Sequence, residues 1–535
     1  MNPTLFSTNF TQPIEGDEFL VISGSITHIQ KFIYDTKSQG ALKNLRGRSF
    51  FLSLLSRAIS DKLLNELGLQ RNTVLYNSGG TFCILAPSST LRSSKIDDVI
   101  KKIKRAVVEM LHIDIVNINY INASLDELNA DCARIFARLF KKKHQSKFMP
   151  YSADTDYDSL FCATDRKMSN SYEQIGGSLC NITGILVSRE RLESSNALCV
   201  DMHKIGTYFY LGNAAELATI KAGEGAYMLL INGENQPKDC NIPTYCEFIA
   251  GNGARVNSFE ELFSQDDSSH RRLAVLRMDV DNLGSLLQSK MSQANPLSKY
   301  ALFSHQLDKY FKESINEMWT RKYSDSTVII YAGGDDLFVV GEWENTLKFA
   351  AEINQNFRRF FSNEDMGISG GVSLVESKYP IIRAAEMSAE EEGLAKSFNF
   401  KDCNKNSISI FGTPLRWNYE FELIDKYYNN LYQLIKCGAI DKSFVQHILQ
   451  ISKNVRFENG KITPVRYVWL AVYDLSRMAK RMDTKSNGAK YIEQCIKDIM
   501  SGRTFDGLVI DSPYHSLQLI TIAARLVEMK LWKTN

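Results

Sequence analysis

Apolar positions along the chain repeat one order of elements twice. In the second half, a buried strand (273–278) precedes a helix, a hairpin, a second helix, a strand, a helix and a last strand. The spacing of three and four residues on the first helix predicts one apolar face. That face consists of Phe303, Leu307, Tyr310, Phe311, Ile315 and Met318. The order β-α-β-β-α-β is that of ferredoxin-like domains, in which helices cover one face of an antiparallel sheet.

The N-terminal part predicts the same order. Its elements are a strand (19–22), a helix (50–64), a hairpin (72–87), a helix (96–111), a strand (113–121) and a helix (132–140). The strand end and the glycine pair are 56 residues apart here, from Ser23 to Gly79, and 54 residues apart in the second copy, from Asp279 to Gly333. Matching order and spacing predict an internal duplication.

The second hairpin contains the sequence YAGGDDLFVV at 331–340. Apolar runs flank a glycine turn, which predicts two paired strands with Asp335 and Asp336 at the tip. Gly333 and Gly334 let a backbone approach a phosphate closely. Adjacent carboxylates repel unless a cation lies between them, and hard oxygen ligands favour Mg²⁺ or Mn²⁺. The alternative is an acidic hairpin tip in water.

A strand end supplies further carboxylates. Asp279 and Asp281 follow the strand 273–278, and Asn282 after them is a candidate nucleotide contact. A strand-end carboxylate beside a carboxylate hairpin is typical of two-metal phosphoryl transfer, in which one ion activates a hydroxyl and the other stabilises the leaving pyrophosphate. Lys396 ends a predicted helix (382–396) and is a candidate triphosphate contact, or a solvated helix-end lysine.

The first copy lacks these carboxylates. Residues 23–25 are Ser, Gly and Ser where the second copy has Asp279, and residues 78–81 are Ser, Gly, Gly and Thr where it has 333–336. This palm either binds a second nucleotide through backbone N–H groups and Ser78 or is a structural pseudo-repeat. For the first alternative we expect both hairpins to border one cleft, with Asp279 within metal-bridging reach of Asp335.

We predict an α+β fold with two ferredoxin-like palm domains, a mixed insert and a C-terminal helical bundle. The expected domains are 1–150 (first palm), 151–265 (insert), 266–413 (second palm) and 414–535 (helical). In the last domain the apolar faces of 467–482 and 515–532 have helical spacing. Trp469 and Tyr473 are predicted to be core residues there.

Composition narrows the setting. The 535 residues are 44% hydrophobic with a net charge of +2, so RNA contact requires local patches. The candidates are 43–49, with Arg46 and Arg48 near a helix start, and 141–147; solvated faces are the alternative. No apolar run reaches membrane-spanning length and the N-terminus lacks signal-peptide features, so we expect a cytoplasmic chain.

Cysteine spacing bears on zinc. Ten scattered cysteines without a C-x-x-C pair predict reduced thiols. Cys162, Cys180, Cys240 and Cys246 could meet in space, but structural zinc usually shows closely paired ligands, so zinc is not expected. Buried small apolar side chains are the alternative.

Four segments together resemble a known family. They are GALKNLRGRSFFLSLL, VLYNSGGTFCILAP, LAVLRMDVDNLG and YAGGDDLFVVG. The chain resembles the large palm-domain polymerase subunit of type III CRISPR effector complexes, and is closer to the III-A and III-D branch than to III-B.

The resemblance implies a role and a site. Such a subunit works with CRISPR RNA, target RNA and other effector subunits: backbone, crRNA-5′-end-capping and small helical ones. Target RNA switches on synthesis of a second messenger from ATP, commonly cyclic oligoadenylate. Asp279, Asp335 and Asp336 match the metal-binding and catalytic positions, and Lys396 matches a phosphate-contacting lysine. The nucleotide-contacting hairpin of the first palm corresponds to Ser78, Gly79 and Gly80.

The chain departs from many relatives in two ways. None of its eight histidines precedes an Asp, and the first palm strand begins by about residue 19, so we expect no HD nuclease domain. The four-cysteine pattern of the insert is eroded. Alternatives to the cyclase are joining AMP to S-adenosylmethionine, a stand-alone nucleotide cyclase, and a scaffold without catalysis.

Overall fold

The computed structural model describes residues 18–36, 40–87, 93–147, 167–193, 196–238, 240–254, 256–263, 271–292, 296–362, 366–401, 403–458, 461–502, 504–505, 508–509 and 511–531. The chain divides into two compact units. Unit 1 comprises Met1–Leu262, Val275–Met366 and Lys378–Ala385, and unit 2 comprises Phe263–Ala274, Gly367–Ser377 and Glu386–Asn535. Within the described ranges, no helix is both long enough and apolar enough to cross a membrane.

The N-terminal part of unit 1 is a ferredoxin-like domain. Its elements are β1 (Glu18–Ile26), α1 (Ile29–Tyr34), α2 (Ala41–Leu67), β2 (Val74–Ser78), β3 (Thr81–Pro87), α3 (Ser93–Leu111), β4 (Val116–Ser124), α4 (Leu125–Ala130) and α5 (Cys132–Lys147). The sheet order is β2-β3-β1-β4, with antiparallel pairing throughout. The predicted element order is therefore confirmed for the first palm.

The core of this domain lies between the sheet and its helices. Phe19, Val21 and Leu85 of the sheet pack with Ile135 and Leu139 of α5, and all five are buried. Later residues of the chain, Met291 and Tyr300, complete the same cluster. This packing fixes the strand β1, whose C-terminal end leads toward the candidate site.

The insert in unit 1 is a mixed domain, as predicted. It contains α6 (Lys167–Ser178), β5 (Gly184–Ser188), β6 (Leu198–Met202), β7 (Thr207–Gly212), α7 (Ala214–Ala218), β8 (Tyr227–Ile231) and β9 (Thr244–Glu247). The sheet order is β6-β7-β5-β8-β9, with β8 and β9 parallel. Cys180, Cys240 and Cys246 are free thiols, and Cys162 lies outside the described residues.

Helix α6 packs against α2 of the first palm at very short range. A Cβ atom on Gly47 would lie 1.8 Å from the carbonyl oxygen of Tyr172, and one on Gly176 would lie 1.9 Å from that of Lys43. Only glycine permits such an approach of two helix backbones. The LRGRS motif therefore contains a packing glycine that joins the palm to the insert.

The second palm repeats the first. Its elements in the chain order are β10 (Arg272–Val280), α8 (Leu283–Met291), α9 (Pro296–Lys309), α10 (Ile315–Lys322), β11 (Thr327–Gly333), β12 (Asp336–Glu342) and α11 (Trp343–Phe360). A π-helical turn, Tyr310–Ser314, joins α9 to α10. The strand order β11-β12-β10 is the order β2-β3-β1 of the first palm, so the duplication holds at the level of the sheet.

Unit 2 combines strands with the C-terminal helices. Its elements are β13 (Ile368–Glu376), α12 (Ile381–Ser397), β14 (Asn399–Phe400), β15 (Cys403–Asn404), β16 (Ser407–Ile410), β17 (Thr413–Arg416), α13 (Glu422–Lys436), α14 (Ser443–Ser452), β18 (Arg456–Glu458), β19 (Lys461–Thr463), α15 (Arg466–Lys480), α16 (Asn487–Ser501), β20 (Thr504–Phe505), β21 (Leu508–Val509) and α17 (Ser516–Leu531). Strands β13 and β16 are parallel, and α17 is buried along most of its length. The predicted helical bundle is confirmed.

Two predicted core aromatics of α15 are instead on the surface. The exposed fraction is 62% for Trp469 and 57% for Tyr473. The buried stripe of this helix consists of Ala471, Leu475 and Ala479. Both stripes have helical spacing, and spacing alone does not tell which stripe packs against a neighbour. The prediction was wrong because it took the larger side chains for the packed ones.

Candidate active site

Equivalent hydrogen bonds align the two hairpins residue by residue. The N–H of Ile26, the last residue of β1, donates to the carbonyl oxygen of Gly80 at 2.8 Å. The N–H of Val280, the last residue of β10, donates to the carbonyl oxygen of Asp335 at 3.2 Å. Gly80 and Asp335 are therefore equivalent positions, and the strand residue equivalent to Asp279 is Ser25.

The turn geometry explains why one tip tolerates an aspartate. Each turn contains two residues between the last paired positions. Those positions are Ser78 and Thr81 in the first hairpin, and Gly333 and Asp336 in the second. Both turn residues of the first tip have positive φ: 58° at Gly79 and 73° at Gly80. In the second tip Gly334 has φ 70°, whereas Asp335 lies outside the left-handed region. A side chain is therefore accommodated at 335 without backbone strain.

Three carboxylates come together at the second tip. One ligand oxygen from each of Asp279, Asp335 and Asp336 lies within 4.8 Å of the other two. Each is half-buried, at the end of a strand or in the tight turn. The predicted grouping of Asp279 with the hairpin is confirmed. Carboxylate oxygens at this separation fit one or two hard divalent cations such as Mg²⁺ or Mn²⁺.

The electrostatics of the triad favour a cation. Burial, and then the neighbouring charge of Asp336, raises the pKa of Asp335 from 3.8 to about 6. Both causes disfavour a second negative charge in the metal-free protein, and a bound cation would remove that penalty. Asp281 is buried behind the strand end, and Asn282 has a left-handed backbone and begins α8.

Both hairpin tips border one cavity in unit 1. A Cβ atom on Gly79 would lie 3.2 Å from the carbonyl oxygen of Gly333. The cavity has a volume of about 680 Å³ and is lined by Ser78, Gly79, Gly80, Gly333, Asp335 and Asp336 as well as polar residues of β4, α5 and the insert. The expectation that the two hairpins border one cleft is confirmed.

The hydroxyl of Ser78 already has a protein partner. It donates a hydrogen bond to the carboxylate of Asp308 on α9, and Asp308 pairs with Lys312 at 3.1 Å. Neither Asp308 nor Lys312 was predicted from the sequence as a site residue. Asp308 and Lys312 stand four apart on a predicted helix, a spacing that also suits an ordinary surface ion pair. Only the folded duplication brings that pair to the first hairpin.

Three other predicted residues have partners outside the triad. The guanidinium of buried Arg46 donates to the carbonyl oxygens of Gly251 and Ala254. Arg48 donates to a backbone carbonyl at 2.8 Å and lies over the ring of Tyr172. These internal contacts give both arginines a structural role, and an RNA or partner contact by either residue stays a prediction.

Lys396, the third such residue, lies in unit 2 on α12. Its ammonium is 3.7 Å from a carboxylate oxygen of Glu392, one turn earlier. The partly buried pair leaves 28% of the lysine side chain exposed. Its contact with a phosphate stays a prediction.

Two family models match the two palm regions. The model described as Cas10/Cmr2, second palm domain, matches residues 272–409. The model described as Csm1 subunit domain B matches residues 18–163. Each matched region contains one of the two glycine hairpins, and the region 272–409 contains all three carboxylates of the triad.

Curated relatives carry matching names. One relative is the CRISPR system single-strand-specific deoxyribonuclease Cas10/Csm1 (subtype III-A) of Streptococcus thermophilus, to which the chain is 26% identical over 483 residues. The aligned region covers 83% of this chain and 61% of that protein. The chain is 25% identical over 517 residues to the protein of the same name from Mycobacterium tuberculosis, covering 86% and 62%. The chain thus spans about three fifths of the length of these relatives.

Solved structures share the fold. The chain superposes on Csm1 in the Csm1–Csm4 subcomplex of the type III-A CRISPR-Csm interference complex with a TM-score of 0.66 and 21% identity, over 96% of this chain and 70% of that one. Csm1 in the Csm1–Csm4 cassette in complex with cA3 gives 0.65 and 20%, over 97% and 71%. The resemblance to the large palm-domain subunit of type III CRISPR complexes is confirmed, as is the α+β fold with two palms.

Proposed function

We propose that this chain is a nucleotidyltransferase subunit of a type III CRISPR complex, and that target RNA activates it to make cyclic oligoadenylate from ATP. The observation that carries the proposal is the cavity at which the hairpin of the three-carboxylate cluster meets a carboxylate-free glycine tip. One tip is suited to hold metal and the other to hold a second nucleotide. Joining two nucleotides requires both.

The roles follow from the donor types. Asp279, Asp335 and Asp336 would hold one or two Mg²⁺ or Mn²⁺ ions, which when bound activate a hydroxyl and stabilise a leaving pyrophosphate. The glycine N–H groups of both tips are suited to phosphate oxygens. Lys396 and Asn282 are further candidates for nucleotide contact. In the reaction, a bond forms from the acceptor hydroxyl oxygen to the α-phosphorus, pyrophosphate leaves, and the hydroxyl proton passes to solvent.

Names of solved relatives support the choice of substrate. Csm1–Csm4 cassettes have been solved in complex with one ATP, with pppApA, with cA3 and with cA4. Those are properties of the solved proteins. They support ATP as the substrate class for a chain with the same fold. The partners proposed here are CRISPR RNA, target RNA and the other subunits of the complex.

The test is product analysis by mass spectrometry on the assembled complex. Reactions contain Mg²⁺ and ATP, with or without target RNA, and with or without S-adenosylmethionine. We expect oligoadenylate only when target RNA is present. Formation of an AMP–S-adenosylmethionine conjugate instead of oligoadenylate would mean that the chain joins AMP to S-adenosylmethionine. Equal activity of the chain with and without RNA would favour a stand-alone cyclase. Undetectable product with saturating target RNA would favour a scaffold.

We also predict that this chain does not degrade single-stranded DNA. The histidine–aspartate pair of an HD nuclease site is missing from its sequence, because none of the eight histidines precedes an aspartate. The curated relatives are named as deoxyribonucleases, so the prediction separates this chain from them. The measurement is degradation of labelled single-stranded DNA with Mn²⁺. Metal-dependent cleavage that stays with the chain through stringent purification would contradict it.

A further inference from the structure

A chain of ion pairs connects the first hairpin to the insert. Ser78 donates its hydroxyl hydrogen to Asp308, and Asp308 pairs with Lys312 at 3.1 Å. Lys312 also pairs with Glu247 at 3.4 Å, and the other oxygen of Glu247 pairs with Arg57. This series of ion pairs thus extends from the insert to the hairpin tip through side chains of both palms.

The four charged groups are held away from water. Their side chains are exposed by 15% for Arg57, 17% for Glu247, 18% for Lys312 and 23% for Asp308. Burial alone would lower the pKa of Lys312, but Asp308 and Glu247 outweigh it and the pKa is raised. Burial likewise opposes ionisation of Glu247, but Arg57 and Lys312 lower its pKa. Each charge therefore depends on its neighbours, and removal of one leaves another buried and uncompensated.

The elements that carry these residues are otherwise remote in sequence. Glu247 is the last residue of β9 in the insert, and Arg57 is in the middle of α2. Lys312 lies in the π-helical turn that follows α9. Ser78, Arg57, Glu247 and Lys312 all line the cavity.

A second contact holds the same strand. The hydroxyl of Ser56 donates to the side-chain oxygen of Asn77 at 3.0 Å, and Ser56 precedes Arg57 on α2. Helix α2 therefore touches the hairpin directly at Asn77 and indirectly through the ion chain at Ser78. Two successive residues of β2 are fixed from two directions.

We infer that Glu247, Lys312 and Asp308 are positioning residues that hold the Ser78–Gly80 tip in place, so that the insert sets the affinity of the first palm for nucleotide. The inference rests on the proposed function for its nucleotide readout only. None of these groups is assigned a contact with the reacting atoms. They act through the position of the tip.

The test compares Glu247→Gln with a matched control. The variant keeps the shape of the side chain but removes the charge that compensates Arg57 and Lys312. The control is Glu109→Gln, because Glu109 also joins the first palm to the insert, through Lys204 at 3.2 Å, without any link to the hairpin. Glu247→Gln loses the pairs with Arg57 and Lys312, and Glu109→Gln loses the palm–insert pair with Lys204. Only the first variant should affect the tip.

The first readout is hydrogen exchange of the hairpin in the full chain without nucleotide. We expect exchange of the segment 74–84 to be about tenfold faster in E247Q and unchanged in E109Q. The second readout is binding of a fluorescent ATP analogue, weakened about fivefold in E247Q only. The third is Mn²⁺ binding to the triad, unchanged in both. In the active complex, KM for ATP should rise while kcat stays within about twofold.

Several outcomes would overturn the inference. Equal exchange of 74–84 in E247Q and wild type would do so even if the complex proved to make a different product, because that readout does not depend on the reaction. Equal effects of E247Q and E109Q would reduce Glu247 to a structural contact. If E247Q does not fold, Lys312→Met gives the same test with Arg57 and Glu247 still paired, and Lys312→Arg should restore wild-type exchange and binding.

Discussion

The two hairpins of this chain have equivalent strand pairing and differ in the residues at their tips. In each, the strand before the helix donates its last N–H to a carbonyl of the tip, through Ile26 in one and Val280 in the other. Each also has the same irregularity in strand pairing, before Tyr76 in the first and before Tyr331 in the second. One tip presents two carboxylates, and the other presents glycine and threonine.

The comparison shows how a duplicated domain can divide two tasks. Replacing a glycine with positive φ by Asp335 requires a change of turn geometry, and that change is present in the second copy alone. The first tip keeps both positive-φ glycines, which add neither a side chain nor a charge next to its N–H groups. In the proposed function, metal binding and nucleotide binding therefore fall on related but separate loops.

The largest expected effect comes from removing the chemical difference. Asp335→Ala combined with Asp336→Ala should lower nucleotide synthesis by about a thousandfold or more, because inner-sphere metal ligands stabilise the transition state by several kcal/mol. RNA binding should be unchanged. Thr81→Ala, at the position equivalent to Asp336, is the control and should change synthesis by about twofold at most. Turnover near wild type in the double variant would refute the site.

A smaller effect is expected from the contact between the tips. Gly79→Ala places a methyl group 3.2 Å from backbone atoms of 333 and 334, and its φ of 58° adds about 1 kcal/mol of strain. We expect synthesis to fall about tenfold, since misplaced groups react slowly. Gly68→Ala is the control, because its φ is 68° and no atom lies within 4 Å of the added methyl.

Thermal unfolding and turnover together give the measurement for this pair of glycines. Both variants should lose similar stability from the strained backbone, and only Gly79→Ala should lose synthesis. Equal synthesis in the two variants would mean that the separation of the tips does not matter.

Local patterns and long-range contacts differ in how far sequence predicts them. The element order and the glycine tips could be predicted, because alternation, helical spacing and turn residues are local signals. Arg46 was a candidate for RNA or partner contact, and it is buried against carbonyls of the insert, 205 and 208 residues away. Asp308 and Lys312 had the spacing of a surface pair. Such partners are set by packing between domains, for which a single sequence holds no periodic signal.

The charge difference between the tips should also appear in stability. The raised pKa of Asp335, about 6 against 3.8 unfolded, means that the metal-free folded chain binds more protons than the unfolded chain between these values. Stability contributed by the protonated group is therefore complete below about pH 4 and lost as pH rises through about 6. Asp335→Asn should be more stable than wild type at pH 7.5, by about 1 to 2 kcal/mol, and equal at pH 4.

Denaturant unfolding in chelator at the two pH values measures that difference. Gly80, the residue equivalent to Asp335, carries no ionisable group. Thr81→Ala, next to it in the first tip, is therefore the control and should show no pH-dependent gain in stability. Saturating Mn²⁺ should reverse the sign at pH 7.5, since the cation stabilises the carboxylate form. A pH-independent difference between Asp335→Asn and wild type would contradict the electrostatic account of the acidic tip.

The smallest expected effect concerns the hydroxyl of the first tip. Ser78→Ala removes the hydrogen bond to Asp308 while Asp308 keeps its pair with Lys312, so no buried charge is left without a partner. The tip is then held less firmly, and we expect about fivefold weaker nucleotide binding, equivalent to about 1 kcal/mol. Mn²⁺ affinity at the triad should not change, because Ser78 belongs to the other hairpin. Titration of the full chain with an ATP analogue and with Mn²⁺ gives both values. A loss of metal affinity as large as the loss of nucleotide affinity would show that the two tips do not act as separate binding elements, and the division of tasks between the palms would have to be abandoned.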